Sequence, residues 1–185
     1  MIVAERQTMS VGRSGDASDR VTTITAALNQ VTEFTYDPAN GNLLTVKDPL
    51  NQVTTIGYND FGQPLSVQGP IATEPPTTFA YDVVSRLLSL TDPRGLVTQF
   101  RYDSLNRVTD IADAQQGLTR FTYDPNGNLL SVTDAKHQTT TYTYDNMDRL
   151  KTCTDAPNRQ ESYQHHTTGR RTALTSLDKG QHQYA

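Results

Sequence analysis

Tryptophan is absent from the 185 residues and cysteine occurs once, at Cys153. A single thiol closes no intrachain disulfide and supplies no thiolate metal cluster, so stability has to come from packing. Hydrophobic residues make up only 35 % of the chain, too little for one large globular core. Neither sign of charge dominates: 16 basic and 20 acidic residues are interspersed, with a net charge of −4. No cationic surface is therefore offered to nucleic acid or anionic lipid, and no apolar run reaches the length of a signal peptide or a membrane span. Nucleic-acid binding and membrane insertion are not expected. The nucleophile-elbow, zinc-helix and phosphate-loop motifs are missing as well, which leaves catalysis without a candidate residue set and a cofactor without a site.

Present instead are Thr, Asp, Asn, Gln, Gly and Tyr, the residues of half-buried strands joined by polar turns. Tyrosine recurs at Tyr36, Tyr58, Tyr81, Tyr102, Tyr123 and Tyr144, at spacings of 22, 23, 21, 21 and 21. Each is followed by an acidic residue or its amide: Asp37, Asn59, Asp82, Asp103, Asp124 and Asp145. A fixed period of this length marks a repeat architecture. A weathered first copy starts at Gly15-Asp16, and Tyr163-Gln164 is the next candidate after Tyr144, at a spacing of 19. The expected organisation is a poorly ordered leader over residues 1–14, an array of about seven repeats over 15–164, and a degenerate or truncated repeat over 165–185.

Before each tyrosine the residues alternate with period two. Thr98, Phe100 and Tyr102 share one face, Gln99 and Arg101 the other, and the same slots recur as Thr119/Phe121/Tyr123 and Thr140/Tyr142/Tyr144. This is a strand with an aromatic face and a polar face. Turn residues follow, clearest in Asp124-Pro125-Asn126-Gly127, and Gly41, Gly62, Gly95, Gly117 and Gly127 are read as turn glycines. A second strand comes next, with apolar residues six and nine positions after the tyrosine, a spacing that breaks strict alternation and predicts a bulge or strong coiling. The fold class is all-β: tandem antiparallel hairpins of about 21 residues that pair edge to edge into a continuous curved sheet, since one hairpin cannot bury its own apolar face. The proline-rich insert Gly69 to Pro76 is excluded from a central strand and predicts a protruding loop.

The string Tyr-Asp, Arg or Asn, Leu, then Asp-x-x-Gly, then Thr-x-Phe-x-Tyr-Asp resembles the YD-repeat or RHS-repeat family, over roughly residues 15 to 164. That family includes bacterial RHS polymorphic toxins, the cocoon component of insecticidal toxin complexes, and teneurins. The resemblance implies a segment of a hollow β-shell that encloses a toxin polypeptide. Its partners would be further repeats of the shell or the toxin, and it would reach the outside by a signal-peptide-independent route after a cytoplasmic stage. The family's aspartate-based cleavage core has no counterpart, because Asp92-Pro93-Arg94-Gly95 lies within the repeat period as an ordinary turn.

Two functional readings are weighed. In the first the chain is a non-catalytic structural segment, each Tyr packing in the sheet and each Asp accepting backbone N–H bonds in its turn. In the second it is an extracellular module whose Tyr-Asp pairs bind carbohydrate or protein. Identical placement at every repeat favours the first, as a lattice needs it. Arg20, Arg86, Arg107 and Arg149 fill one repeat slot and are expected to pair with turn aspartates. Cys153 stands where other copies have Leu90, Ile111 and Val132, and reads as a small apolar substitute rather than a nucleophile. His165, His166 and His182 lack metal-ligand spacing, so no metal is expected. Unpaired edge strands predict self-association.

Overall fold

The computed structural model describes residues 12–166, 168–169, 171–176 and 180–183. The expected leader, residues 1–14, falls for the most part outside them, and the first strand begins at Gly12. The chain divides into two compact units, the first comprising residues up to Tyr81 with Leu90–Leu96, the second Asp82–Ser89 with Val97 onward. All regular structure among the described residues is extended, apart from one turn of 3-10 helix at Ala27–Asn29.

In the first unit β1 (Gly12–Gly15), β2 (Val21–Ala26), β3 (Gln30–Tyr36), β4 (Leu43–Lys47), β5 (Val53–Tyr58), β6 (Pro64–Gln68) and β7 (Thr77–Tyr81) pair in succession, every pair antiparallel. β8 (Leu87–Thr91) has residues in both units. In the second unit β9 (Val97–Tyr102), β10 (Val108–Ala112), β11 (Leu118–Tyr123), β12 (Leu129–Thr133), β13 (Thr139–Tyr144), β14 (Leu150–Thr154), β15 (Gln160–His165), β16 (Arg171–Ser176) and β17 (Gly180–Gln183) do the same. The tandem hairpins expected from the period are therefore present, with sequential neighbours sharing backbone hydrogen bonds inside each unit.

The alternation of the first strand is visible in its exposure. In β9, β11 and β13 the Thr, Phe or Tyr, and Tyr slots are half-buried, and the residues between Phe and Tyr point to solvent. The apolar spacing in the second strand has a specific cause. Tyr123 faces Leu129, but Thr122 faces Ser131, so Leu130 is an extra residue. The same two-against-one shift occurs at Thr22, Leu44, Leu65, Thr109, Lys151 and Thr172. This bulge brings residues three apart, such as Leu129 and Val132, onto the face shared by Tyr123 and Phe121.

Apart from the 3-10 turn between β2 and β3 and the Gly69 to Pro76 insert, the described turns at both ends of the hairpins use one design. The turn aspartate receives a backbone bond from the residue three places on and donates one to the carbonyl four places on, as in Asp103 with Asn106 and Arg107. The residue three places on takes positive φ: Gly62, Gly95 and Gly127, but also Ser85 (φ 71°), Asn106 (φ 63°) and Gln116 (φ 67°). Gly41 closes the one turn with an added residue. Gly117 sits one place later than the other turn glycines and serves a different purpose. Its N–H donates to Asp113 Oδ1 at 2.7 Å, and a Cβ there would lie 2.5 Å from Asp113 Oδ2 and 3.1 Å from Ala135 Cβ. Asp113 Oδ1 accepts the N–H groups of both Gln115 and Gly117, so an added Cβ would have to displace Oδ2 and crowd the Ala135 methyl group as well. Gly117→Ala is expected to cost about 1–3 kcal/mol in urea denaturation through overpacking; Gly69→Ala, with open space around it, should be close to neutral.

The Gly69 to Pro76 insert is organised by one side chain. Gln68 Nε2 donates to the carbonyls of Gly69, Ile71 and Glu74 at 3.0–3.3 Å, leaving Ile71 54 % exposed. Among the described side chains only Ala173 is buried, so the units have no interior in the usual sense. Their stability resides in contacts between neighbouring repeats.

Candidate functional site: the tyrosine, aspartate and arginine ladder

Each repeat tyrosine reaches back into the preceding hairpin. The hydroxyls of Tyr36, Tyr58, Tyr81, Tyr102, Tyr123 and Tyr144 donate to the carbonyls of Val21, Leu43, Pro64, Leu87, Val108 and Leu129 at 2.8–2.9 Å. Each of these acceptors immediately precedes the second strand's bulge or opens that strand, where the ladder is locally disrupted and a carbonyl is available. The tyrosine ring thus fills the aromatic face while its polar tip is satisfied by backbone.

The aspartates are engaged inside their turns. Asp82 Oδ1 accepts the N–H groups of Val84 and Arg86, Asp103 those of Leu105 and Arg107, and Asp145 those of Met147 and Arg149, at 2.9–3.1 Å. Asn59 does the same with its amide oxygen for Phe61 and Gln63. Asp48, Asp92, Asp113 and Asp134, at the other end of the hairpins, repeat the pattern.

Arginine links one repeat to the next. Arg20, Arg86, Arg107 and Arg149 pair with Oδ2 of Asp16, Asp82, Asp103 and Asp145 at 2.6–2.7 Å. A terminal nitrogen of each then donates to the carbonyl of Asp37, Asp103, Asp124 and His166 in the following repeat, at 2.7–3.4 Å. The guanidinium groups of Arg20, Arg86 and Arg107 also lie 4.7–4.9 Å from the ring centres of Tyr36, Tyr102 and Tyr123, a cation–π arrangement. Sequence reasoning found the Asp–Arg pair but not this reach into the next copy, because nothing in linear spacing says where a long side chain ends. Where arginine is missing, amides replace it: Asn59 Nδ2 donates to Gln63 Oε1, and Asn128 Nδ2 bonds both Asp124 Oδ2 and Asp148 Oδ1 of the next turn.

These bonds lower the carboxylates together. The Arg149 guanidinium, aided by two backbone N–H groups, holds Asp145 at about 2. Backbone N–H donation from Arg86 and Arg107 lowers Asp82 and Asp103, and the Asn128 amide lowers Asp124. Folded values below the unfolded carboxylate range mean stability that is present above that range and is lost as pH falls through the folded values. Stability in urea should accordingly drop as pH falls from about 4 toward about 2, and Asp145→Asn, which keeps the Oδ1 acceptor as Asn59 does, should lessen the drop. No two of these carboxylates are pushed apart in the way that acid/base pairs require.

Cys153 faces Tyr142 on one side and Glu161 on the other. Burial, with Glu161 and Asp155 nearby, pushes its thiol up, which disfavours the nucleophilic thiolate. Tyr163 is raised to about 12 by burial and by its hydrogen bond to Glu161. The register corrects the alignment suggested by spacing at this point. Tyr163 faces Leu174 and His165 faces Arg171 across the bulge, as Phe121 faces Val132 and Tyr123 faces Leu129. His165-His166 therefore occupies the Tyr-Asp slot, at the regular interval of 21 from Tyr144, and Tyr163 takes the Phe slot. No three metal-ligating side chains converge among the described residues; the side chain of His182 lies outside them.

Fold and ladder together define a tandem β-hairpin array in which each copy is bonded to its neighbour. Residues 81–118 and 123–158 match the family described as RHS Repeat. No curated protein matches the sequence. Among solved structures, a chain in the crystal structure of TcdB2-TccC3-Cdc42 superposes with a TM-score of 0.70 and 19 % identity, over 85 % of this chain and 10 % of that one. The Tc holotoxin pore of Photorhabdus luminescens gives 0.67 and 20 %, over 82 % of this chain and 9 % of that one. TcdB2-TccC3 gives 0.58 and 15 %, over 90 % and 12 %. At these identities the likeness is one of fold, and this chain spans about a tenth of the length of those it matches.

Proposed function

We propose that this chain is a stretch of RHS-type shell wall whose work is mechanical, enclosing a toxin polypeptide for delivery outside the producing cell, with no catalytic role of its own. The observation that supports this is the ladder. The repeat tyrosines, and arginine in the four copies that have it, bond to the adjacent copy, so a copy gains stability from its neighbours and more can be added. One of the solved chains it resembles belongs to a structure described as a Tc holotoxin pore, and this chain covers about a tenth of the solved chains it matches, which fits a segment of a larger wall. A sugar-binding use of the Tyr-Asp pairs is disfavoured because the tyrosine hydroxyls and the aspartate Oδ1 atoms are already spent on backbone groups.

The test is a fusion in which the array is extended with further copies of its own repeat and joined to a reporter polypeptide. Containment predicts that protease resistance of the reporter rises with the number of copies. A reporter that stays as accessible as when free, behind an array shown by circular dichroism to be folded, would overturn the reading. Further repeats are the natural partners of its strand edges, and the isolated chain is expected to self-associate in light scattering as concentration rises.

A further inference from the structure

The Arg86 copy of the ladder shows what its cradle is built to hold. Arg86 Nε donates to Asp82 Oδ2 at 2.6 Å, and a terminal nitrogen donates to the Asp103 carbonyl at 3.3 Å and to Asn106 Oδ1 at 3.0 Å. The Tyr102 ring centre stands 4.9 Å from the same guanidinium. Arg107 is gripped alike by Asp103, the Asp124 carbonyl and the Tyr123 ring.

In the copy that starts at Tyr123 the cradle is present and its arginine is not. Asn128 stands five places after Tyr123, as Arg86 does after Tyr81. Asp124, the Asp145 carbonyl, Asp148 and the Tyr144 ring fill the slots of Asp82, the Asp103 carbonyl, Asn106 and the Tyr102 ring. The Asn128 amide bridges Asp124 Oδ2 and Asp148 Oδ1 at 2.9 and 2.7 Å, and Asn126 adds a bond to Asp148 Oδ1 at 3.0 Å. Neither amide brings charge. Asp148 is a second carboxylate where the Arg86 copy has a neutral asparagine, close enough to Asp124 to share one amide nitrogen. Among the described residues neither carboxylate is in an ion pair and no cation lies over the Tyr144 ring. The arginines on either side, Arg107 and Arg149, are already matched by Asp103 and Asp145. Two like charges held this close favour a cation between them, and Asp148 is exposed, so the cradle is open to solvent. Burial pushes the Tyr144 hydroxyl up, with Tyr142 and Asp124 adding to it, as a ring in a negative field requires.

We propose that this gap is a receptor for an arginine side chain of another polypeptide: the incoming guanidinium lies over the Tyr144 ring, donates to Asp148 and to the Asp145 carbonyl, and balances Asp124. A guanidinium suits the gap better than an ammonium, because its planar fork stacks on a ring while serving two acceptors. Such a receptor does not depend on the wall enclosing a cargo; any arginine-bearing chain that reaches this row of turns can fill it.

The probe is N-acetyl-arginine amide, titrated at neutral pH into the whole chain carrying ring-labelled tyrosine and followed by NMR, with the Tyr144 signal assigned by its loss in Tyr144→Phe. Tyr144 should shift saturably with the arginine amide, less with N-acetyl-lysine amide at the same concentration, and not with the uncharged citrulline amide. Asn128→Arg supplies the guanidinium from within and should abolish the shift in a chain that circular dichroism shows to be folded. Asp148→Asn, which copies Asn106 of the Arg86 cradle, should weaken binding about tenfold. A Tyr144 shift that fails to saturate, that the lysine amide matches, or that survives unchanged in either variant would overturn the proposal.

Discussion

Excision of residues 103–123 will leave a folded array, whereas deletion of Thr122 alone will unfold its part of the chain. The 21-residue cut joins Tyr102 to Asp124, two positions with the same neighbours: each tyrosine precedes a turn whose aspartate accepts from the residues two and four places on. Strand alternation, bulge and turn all stay in phase, and Arg86 meets the Asp124 carbonyl where it had met that of Asp103. Removing Thr122 keeps twenty more residues yet destroys more. It shifts Phe121 and the residues before it by one place against β12, so that Phe121 and Tyr123 can no longer share a face. The expected loss is on the order of 5 kcal/mol, the combined cost of exposed aromatics and broken pairing. Circular dichroism and urea melts of the two deletions decide it; if the larger deletion is the more damaging, the repeat is not the structural unit.

The second large effect is expected at Tyr123. Its ring stands 4.7 Å from the Arg107 guanidinium and its hydroxyl bonds the Val108 carbonyl at 2.8 Å. Tyr123→Phe removes only the hydrogen bond and should cost about 1 kcal/mol. Tyr123→Ala removes the ring as well and should cost about 3 kcal/mol. A double-mutant cycle with Arg107→Lys separates the stacked contact, because lysine keeps the charge but not the planar fork. If alanine costs no more than phenylalanine, the ring contributes nothing and the ladder reduces to its hydrogen bonds.

Much of this was legible in the residues. The alternation of Thr98, Phe100 and Tyr102 against Gln99 and Arg101 could be read from side-chain type because strand geometry converts parity in sequence into sidedness in space. Asp-Pro-Asn-Gly could be read as a turn because glycine and asparagine tolerate positive φ. Ser85 and Gln116 could not, since their positive φ is imposed by the closed turn around them and nothing in their chemistry asks for it. The alignment of Tyr163 by residue type went astray for a related reason: side-chain identity pointed to one slot, while backbone register, fixed by the bulge at Thr172, assigned another.

By itself the sequence determined the period, the two faces of each first strand and the chemistry of most turns, all of which follow from interactions among residues close along the chain. Only the tertiary structure decided that Leu130 and its counterparts are the extra residues. It also decided that arginine ends on the next repeat's carbonyl and ring, and that a histidine closes the turn after β15. These depend on where one hairpin lies against another, a matter of non-local pairing that local propensity does not encode.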